Sequence, residues 1–259
     1  MTTPSTQDLL KYARVQMAAE AMLNPGKWAD RSDRRGGYEG TDLEAALRVG
    51  NNHSSRFTAT DAEAFRTEGW IVKEQIETDT GFSGTLFFNR FSRQYVVSFR
   101  STEFIDDHIR DNVCTNTQEI FEAGFAFGQL RDMEAWMEKL RTLPVETVIG
   151  NQTTIAPLLP ANAEFTVTGY SLGAHLASAY NQMHGPGSAA PHTGLKQVIT
   201  FNGGGVGRIS DQADLNGMTL NDVIDEFSIQ ASSDYAFTNA SVRGVYERTR
   251  DAGGVSLWH

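Results

Sequence analysis

Between Asp8 and Leu23, the apolar residues Leu9, Leu10, Ala13, Met17 and Ala21 recur at helical spacing, which predicts an amphipathic helix ended by Pro25-Gly26. Asp30 to Gly40 is charged and glycine-rich and reads as a surface loop. Thr41-Asp42-Leu43-Glu44 has the spacing of a capping box and opens a helix to Val49. Thr60-Asp61-Ala62-Glu63 opens another to Thr67.

The pattern then shortens. Trp70 to Ile76, Thr85 to Phe88 and Tyr95 to Phe99 read as strands, with Gly81 and Gly84 loosening the first connection and Asn89 to Arg93 turning the second. This is an antiparallel entry to a sheet. Glu119 to Arg141 predicts a long helix with Phe121, Phe125, Leu130, Met133, Trp136 and Leu140 on one face. Gly150 to Ala163 reads as an irregular connection, and its apolar Ile155 to Pro160 is a candidate flank for a substrate cleft. Phe165 to Thr168 is a strand, Ala174 to Tyr180 a helix, Gln197 to Phe201 a buried strand, Leu220 to Ile224 a helix and Glu226 to Ala231 a strand. Strands alternate with helices from Tyr95 onward, so an α/β fold with a mostly parallel central sheet is expected, as one domain over residues 1–259.

Composition narrows the partners. The net charge of −10 argues against nucleic acid and against electrostatic docking on anionic lipid, though not against a neutral ester interface. A single cysteine, Cys114, excludes an internal disulfide and a cysteine-based zinc site. Met1 to Gln7 lacks the basic and apolar regions of a Sec-type signal peptide, and no apolar stretch approaches the ~20 residues of a membrane span. Two locations are expected on that basis: the cytoplasm, or export through a C-terminal signal of a longer parent chain.

The candidate chemistry lies at Gly169-Tyr170-Ser171-Leu172-Gly173, a G-x-S-x-G between a strand and a helix. A shuffled chain of this composition would hold about 0.14 such matches, so the bare pattern says little and its strand–turn–helix context decides. That context is the nucleophile elbow of serine hydrolases. Ser171 is then the candidate nucleophile, and the N–H of Leu172 the first oxyanion donor.

A serine hydroxyl needs a histidine base, and the base needs an acid to fix its tautomer. In this fold class the order is serine, acid, histidine. Asp234 follows the last predicted strand and is the candidate acid. Asp251 is the alternative, while Asp211, Asp214, Asp222 and Asp225 precede that strand and read as caps or solvated charges. His184 and His192 come before the acid. His175 lies along the elbow helix, which suits packing or a hydrogen bond near the site, and His53 and His108 are upstream, with His108 near the rim. His259, the last residue, is the candidate base. The other reading places the base beyond the end of a truncated chain.

A second phrase, Tyr95-Val96-Val97-Ser98-Phe99-Arg100-Ser101-Thr102-Glu103, resembles the class 3 lipase family, whose strand ends in a run like F-R-G-T. Ala123-Gly124-Phe125 is similar to that family's H-x-G-F, and Thr200 to Gly207 to its T-x-G-x-P-R-V-G. Val15 to Ala21 and Phe99 to Asp107 resemble a bacterial branch that often heads proteins with calcium-binding glycine-rich repeats. The likeness runs from Asp8 to Asp234. It implies an α/β-hydrolase fold, Asp234 at the family's acid position, the N–H of Thr102 as second oxyanion donor, and a lid within Phe104 to Phe121. Ser101 stands where most of the family has glycine, and no His-Ser pair follows Asp234.

The polar residues of that lid, Asp106, Asp107, Arg110 and Asp111, predict esters of short or medium acyl chains. No cofactor or metal is expected: Val223 stands where an EF-hand echo at Asp214 would need Glu, and Arg208 breaks the glycine pattern of a dinucleotide site. A different class of function also fits, a non-catalytic hydrolase-like module serving as the binding or structural head of a larger secreted protein.

Overall fold

The computed structural model describes residues 4–23, 39–51, 56–78, 80–101, 126–149, 152–188 and 190–206. The expected helix 220–224 and strand 226–231 lie outside them.

Three helices come first: α1 (Thr6–Ala19), α2 (Gly40–Val49) and α3 (Ala59–Thr67). Strands β1 (Trp70–Glu77), β2 (Ser83–Asn89) and β3 (Tyr95–Phe99) follow. Helix α4 (Phe127–Thr142), the pair β4 (Pro144–Ile149) and β5 (Gln152–Pro157), β6 (Phe165–Tyr170), α5 (Leu172–His184) and β7 (Leu195–Phe201) complete the described elements.

The main sheet has the order β1-β2-β3-β6-β7. It is mixed rather than mostly parallel. β1 to β3 are joined by short loops and must run antiparallel, whereas β3, β6 and β7 are joined through helices and pair in parallel. The parallel half is the part that begins at Tyr95, as the alternation predicts. β6 and β7 add in the same direction, and crossovers of one hand then place α4 and α5 on one face.

Adjacent residues on a strand point to opposite faces, so neighbours divide between two cores. Leu86, Val97, Phe99, Phe165 and Val167 pack under α4 and α5 with Leu130, Trp136, Leu176 and Tyr180. Phe87, Val96, Trp70 and Val72 pack under the first three helices with Val15, Leu43, Leu47 and Phe65. Each fully buried side chain of this size contributes roughly 1.5–3 kcal/mol.

Three expectations need correction. The buried face of α1 is Tyr12, Val15, Gln16, Ala18 and Ala19, while Leu9, Leu10 and Met17 are exposed. The polar members of that face are buried because the sheet bonds them: Tyr12 Oη accepts from Gln94 Nε2 (2.9 Å) and Gln197 Nε2 (3.0 Å). Neither expected capping box forms. Thr58, not Thr60, caps α3, accepting from Asp61 N–H, and α2 starts before Thr41 with no side-chain cap. The span expected to be irregular, Gly150 to Ala163, contains strand β5, which pairs antiparallel with β4 just before it, Ile149 opposite Gln152. That hairpin follows the end of α4 and precedes the start of β6. It therefore sits at the far end of the sheet from Ser171, about 17–20 Å of strand away, and Ile155 to Pro160 does not flank the elbow.

Candidate active site

β6 delivers the chain to Ser171 and α5 leaves it. Ser171 has φ 53° and ψ −117°, a region L-residues avoid. Strain of this kind costs of order 1–3 kcal/mol and persists only where surroundings over-determine it. The surroundings here are close backbone contacts. A Cβ on Gly169 would lie 2.0 Å from the Gly173 carbonyl oxygen, and one on Gly173 would lie 2.1 Å from the Phe99 oxygen and 2.7 Å from that of Arg100. Only glycines let strand, helix and the end of β3 meet at this point.

Serine is a preferred helix cap in extended backbone, where its hydroxyl accepts a first-turn N–H. At Ser171 the backbone is not extended and the hydroxyl does not cap α5. Leu172 is buried as the first helical residue, and N–H groups at this position have no partner one turn back. A hydroxyl on the turn and a free donor beside it, at the positive end of a helix dipole, are the elements an acyl transfer requires. Tyr170, half-exposed, stands beside them.

The loop after β7 is fastened to this turn. Ser171 N–H donates to the Phe201 oxygen (3.1 Å). His175 takes both its ring nitrogens to backbone: Nε2 accepts from Ala126 N–H (3.2 Å) and Nδ1 donates to the Gly205 oxygen (2.9 Å). Complete burial pushes its pKa down to about 4, so the ring is neutral. It braces the head of α4 and the post-β7 loop against α5, as its position suggested.

His184 and His192 lie at the other end of α5, which is about 20 Å long. His184 Nε2 pairs with Glu134 at 2.7 Å, His192 Nδ1 meets Tyr180 Oη at 2.6 Å, and the two imidazoles stack at 3.8 Å. His184 is the last residue of α5. Thr102, Asp234, His259, Asp251, His53, His108 and the expected lid at 104–121 lie outside the described residues.

A buried polar cluster at the end of β3 was missed by the sequence reading. Glu20 accepts from Ser101 Oγ (2.6 Å), Ser101 N–H (3.1 Å) and Gln16 Nε2 (2.9 Å). Gln16 Nε2 also donates to the Phe99 oxygen (3.0 Å), and Ser98 Oγ donates to Gln16 Oε1 (2.6 Å). Burial pushes the Glu20 carboxyl above the usual carboxylate range, against the bonds from Ser101 and Gln16 and the nearby charge of Arg100. Arg100 itself is buried against Glu77 at 2.6 Å. The available signal was Tyr12, Gln16 and Glu20 at four-residue spacing, a polar row on one face of an alanine-rich helix.

No protein-family profile matches this chain, and no curated protein matches it. Among solved structures, the Lip2 lipase from Yarrowia lipolytica aligns with 79% of this chain at 15% identity and a TM-score of 0.37. The chain spans 62% of that lipase's length. An overlay this loose transfers neither a residue nor an activity.

Proposed function

We propose that the chain is a carboxylic ester hydrolase in which Ser171, giving its proton to the base, attacks the ester carbonyl and expels the alcohol, which takes that proton; water then cleaves the acyl-enzyme to the free acid and serine. The observation that carries this reading is the Ser171 turn itself: a strained, non-glycine positive φ at a helix head, with the hydroxyl left off the cap and the glycines enforced by backbone contact. The Leu172 N–H and, as the resemblance to class 3 lipases implies, the Thr102 N–H stabilise the oxyanion. Asp234 and His259 complete the triad in chain order. The substrate is an ester with a short or medium acyl chain, and Tyr170 offers it a ring at the rim.

The test is turnover of p-nitrophenyl butyrate. Ser171→Ala should lower kcat at least about a thousandfold while the urea midpoint stays close to wild type. A variant with wild-type turnover would end the proposal.

A second reading, a non-catalytic binding module, draws on one observation. Among the described residues, the imidazoles are committed elsewhere: His175 to two backbone groups, His184 to Glu134 and His192 to Tyr180. A fluorophosphonate probe separates the two. Covalent labelling at Ser171 supports the hydrolase, and folded protein that takes no label supports the module.

A further inference from the structure

We infer that Glu20 and Ser101 form a clamp that sets the end of β3 against the elbow, making them positioning residues for the Ser171 turn and its Leu172 donor; this rests on the hydrolase reading above.

The end of β3 is held from two sides. On one, the Phe99 and Arg100 carbonyls lie so close to Gly173 that no Cβ fits between. On the other, α1 reaches over with Glu20. Its carboxylate takes the Ser101 hydroxyl on one oxygen and the Ser101 N–H on the other. Gln16 ties Phe99, two residues earlier, into the same cluster. Helix α1 is itself anchored there, since Asn51 Nδ2 donates to the Glu20 carbonyl oxygen (2.9 Å). Three successive residues of β3 and its exit, Phe99, Arg100 and Ser101, are therefore fixed relative to Gly173 and the turn it closes.

An oxyanion hole works only if its donors are in place before the charge develops. A displacement of about 1 Å at such a donor costs on the order of a hundredfold in rate. The clamp also accounts for the residue types. A glycine at 101 would keep the N–H bond to Glu20 and lose the hydroxyl bond. Serine gives the carboxylate a second donor on the same residue, so this end of β3 is held at two points. A buried carboxylate is costly, and this one persists because its two oxygens meet three donors.

The experiment uses the whole chain, with kcat and KM on p-nitrophenyl butyrate, the rate of fluorophosphonate labelling and the urea midpoint read for each variant. Ser101→Ala and Glu20→Ala should lower kcat and the labelling rate roughly ten- to a hundredfold with KM within about twofold. Glu20→Gln should recover to within about threefold of wild type, because its amide oxygen accepts from Ser101 N–H and its amide nitrogen donates to Ser101 Oγ. The double variant Ser101→Ala with Glu20→Ala should be no slower than the worse single one, since the pair acts as a unit. If Glu20→Ala unfolds, Ser101→Ala, which removes a single oxygen, still decides. Wild-type kcat in folded Ser101→Ala would overturn the clamp alone. A folded wild type that neither labels nor turns over would overturn the hydrolase reading, and the clamp's role with it.

Discussion

The two ends of α5 invite opposite conclusions from residue type alone. Its C-terminal end gathers His184, His192, Tyr180 and Glu134, four side chains that chemistry often uses. Its N-terminal end offers a serine between glycines. Yet the rich cluster is closed upon itself: each imidazole has a partner, the rings stack, and the backbone is ordinary. At the poor end the backbone is strained, and the one polar side chain is left off the cap it would normally fill. A reactive group is marked by strain held in place and by a polar atom not used for structure, more than by a concentration of titratable residues.

Apart from removal of the Ser171 hydroxyl itself, the largest expected effect tests the strained end. In Gly173→Ala the new Cβ meets two backbone oxygens, of Phe99 and Arg100, and neither moves without parting β3 from the elbow. Overpacking against backbone should cost about 3 kcal/mol, and displacing the end of β3 should lower ester turnover by a hundredfold or more, as about 1 Å of misplacement would. Urea unfolding and kcat on the same preparation check both. Full stability together with full activity would remove the ground for treating this end as special.

His184→Gln probes the other end, with a smaller effect of a different kind. It loses the ion pair with Glu134 and should cost roughly 1–3 kcal/mol near pH 6 while kcat stays within about twofold. Burial alone would lower the His184 pKa, but the hydrogen bond and charge of Glu134 outweigh it and hold the value above 6.5. A raised folded-state pKa stabilises fully below the unfolded value and loses that contribution as pH rises through the folded one. Arg141 opposes the charge but does not reverse the direction. The stability gap between wild type and variant should thus be wider at pH 6 than at pH 9. A turnover loss without a stability loss would move the working site to this end of the helix.

The same contrast explains what the sequence disclosed. The elbow was legible because its demands are local: two glycines, a strand before and a helix after fit within eleven residues. The parallel β3, β6 and β7 were legible from alternation, and the antiparallel start from its short turns. The buried face of α1 was not, because Tyr12, Gln16 and Glu20 read as polar, and only partners 81 to 185 residues away along the chain make them interior. Strand-forming Val145 to Ile149 and Thr153 to Ile155 flank a Gly150-Asn151 pair, a hairpin signal masked by the prolines on either side. The acid and base are hardest, since a triad is assembled in space and only its order is written in the chain.

The smallest effect isolates the strain from the chemistry. Ser171→Ala and Ser171→Gly both remove the hydroxyl, so neither turns over ester and any difference between them belongs to the backbone. In ordinary helix or strand backbone, glycine is less stable than alanine by roughly 0.5–1 kcal/mol because it loses more freedom on folding. At φ 53° and ψ −117° alanine keeps the Cβ penalty of roughly 1–3 kcal/mol and glycine does not. The net should favour Ser171→Gly by about 1 kcal/mol, a reversal of the usual order. Urea midpoints of the two variants read that sign directly. If Ser171→Ala is the more stable of the pair, the turn holds no strain, and the two ends of α5 differ only in which side chains they carry.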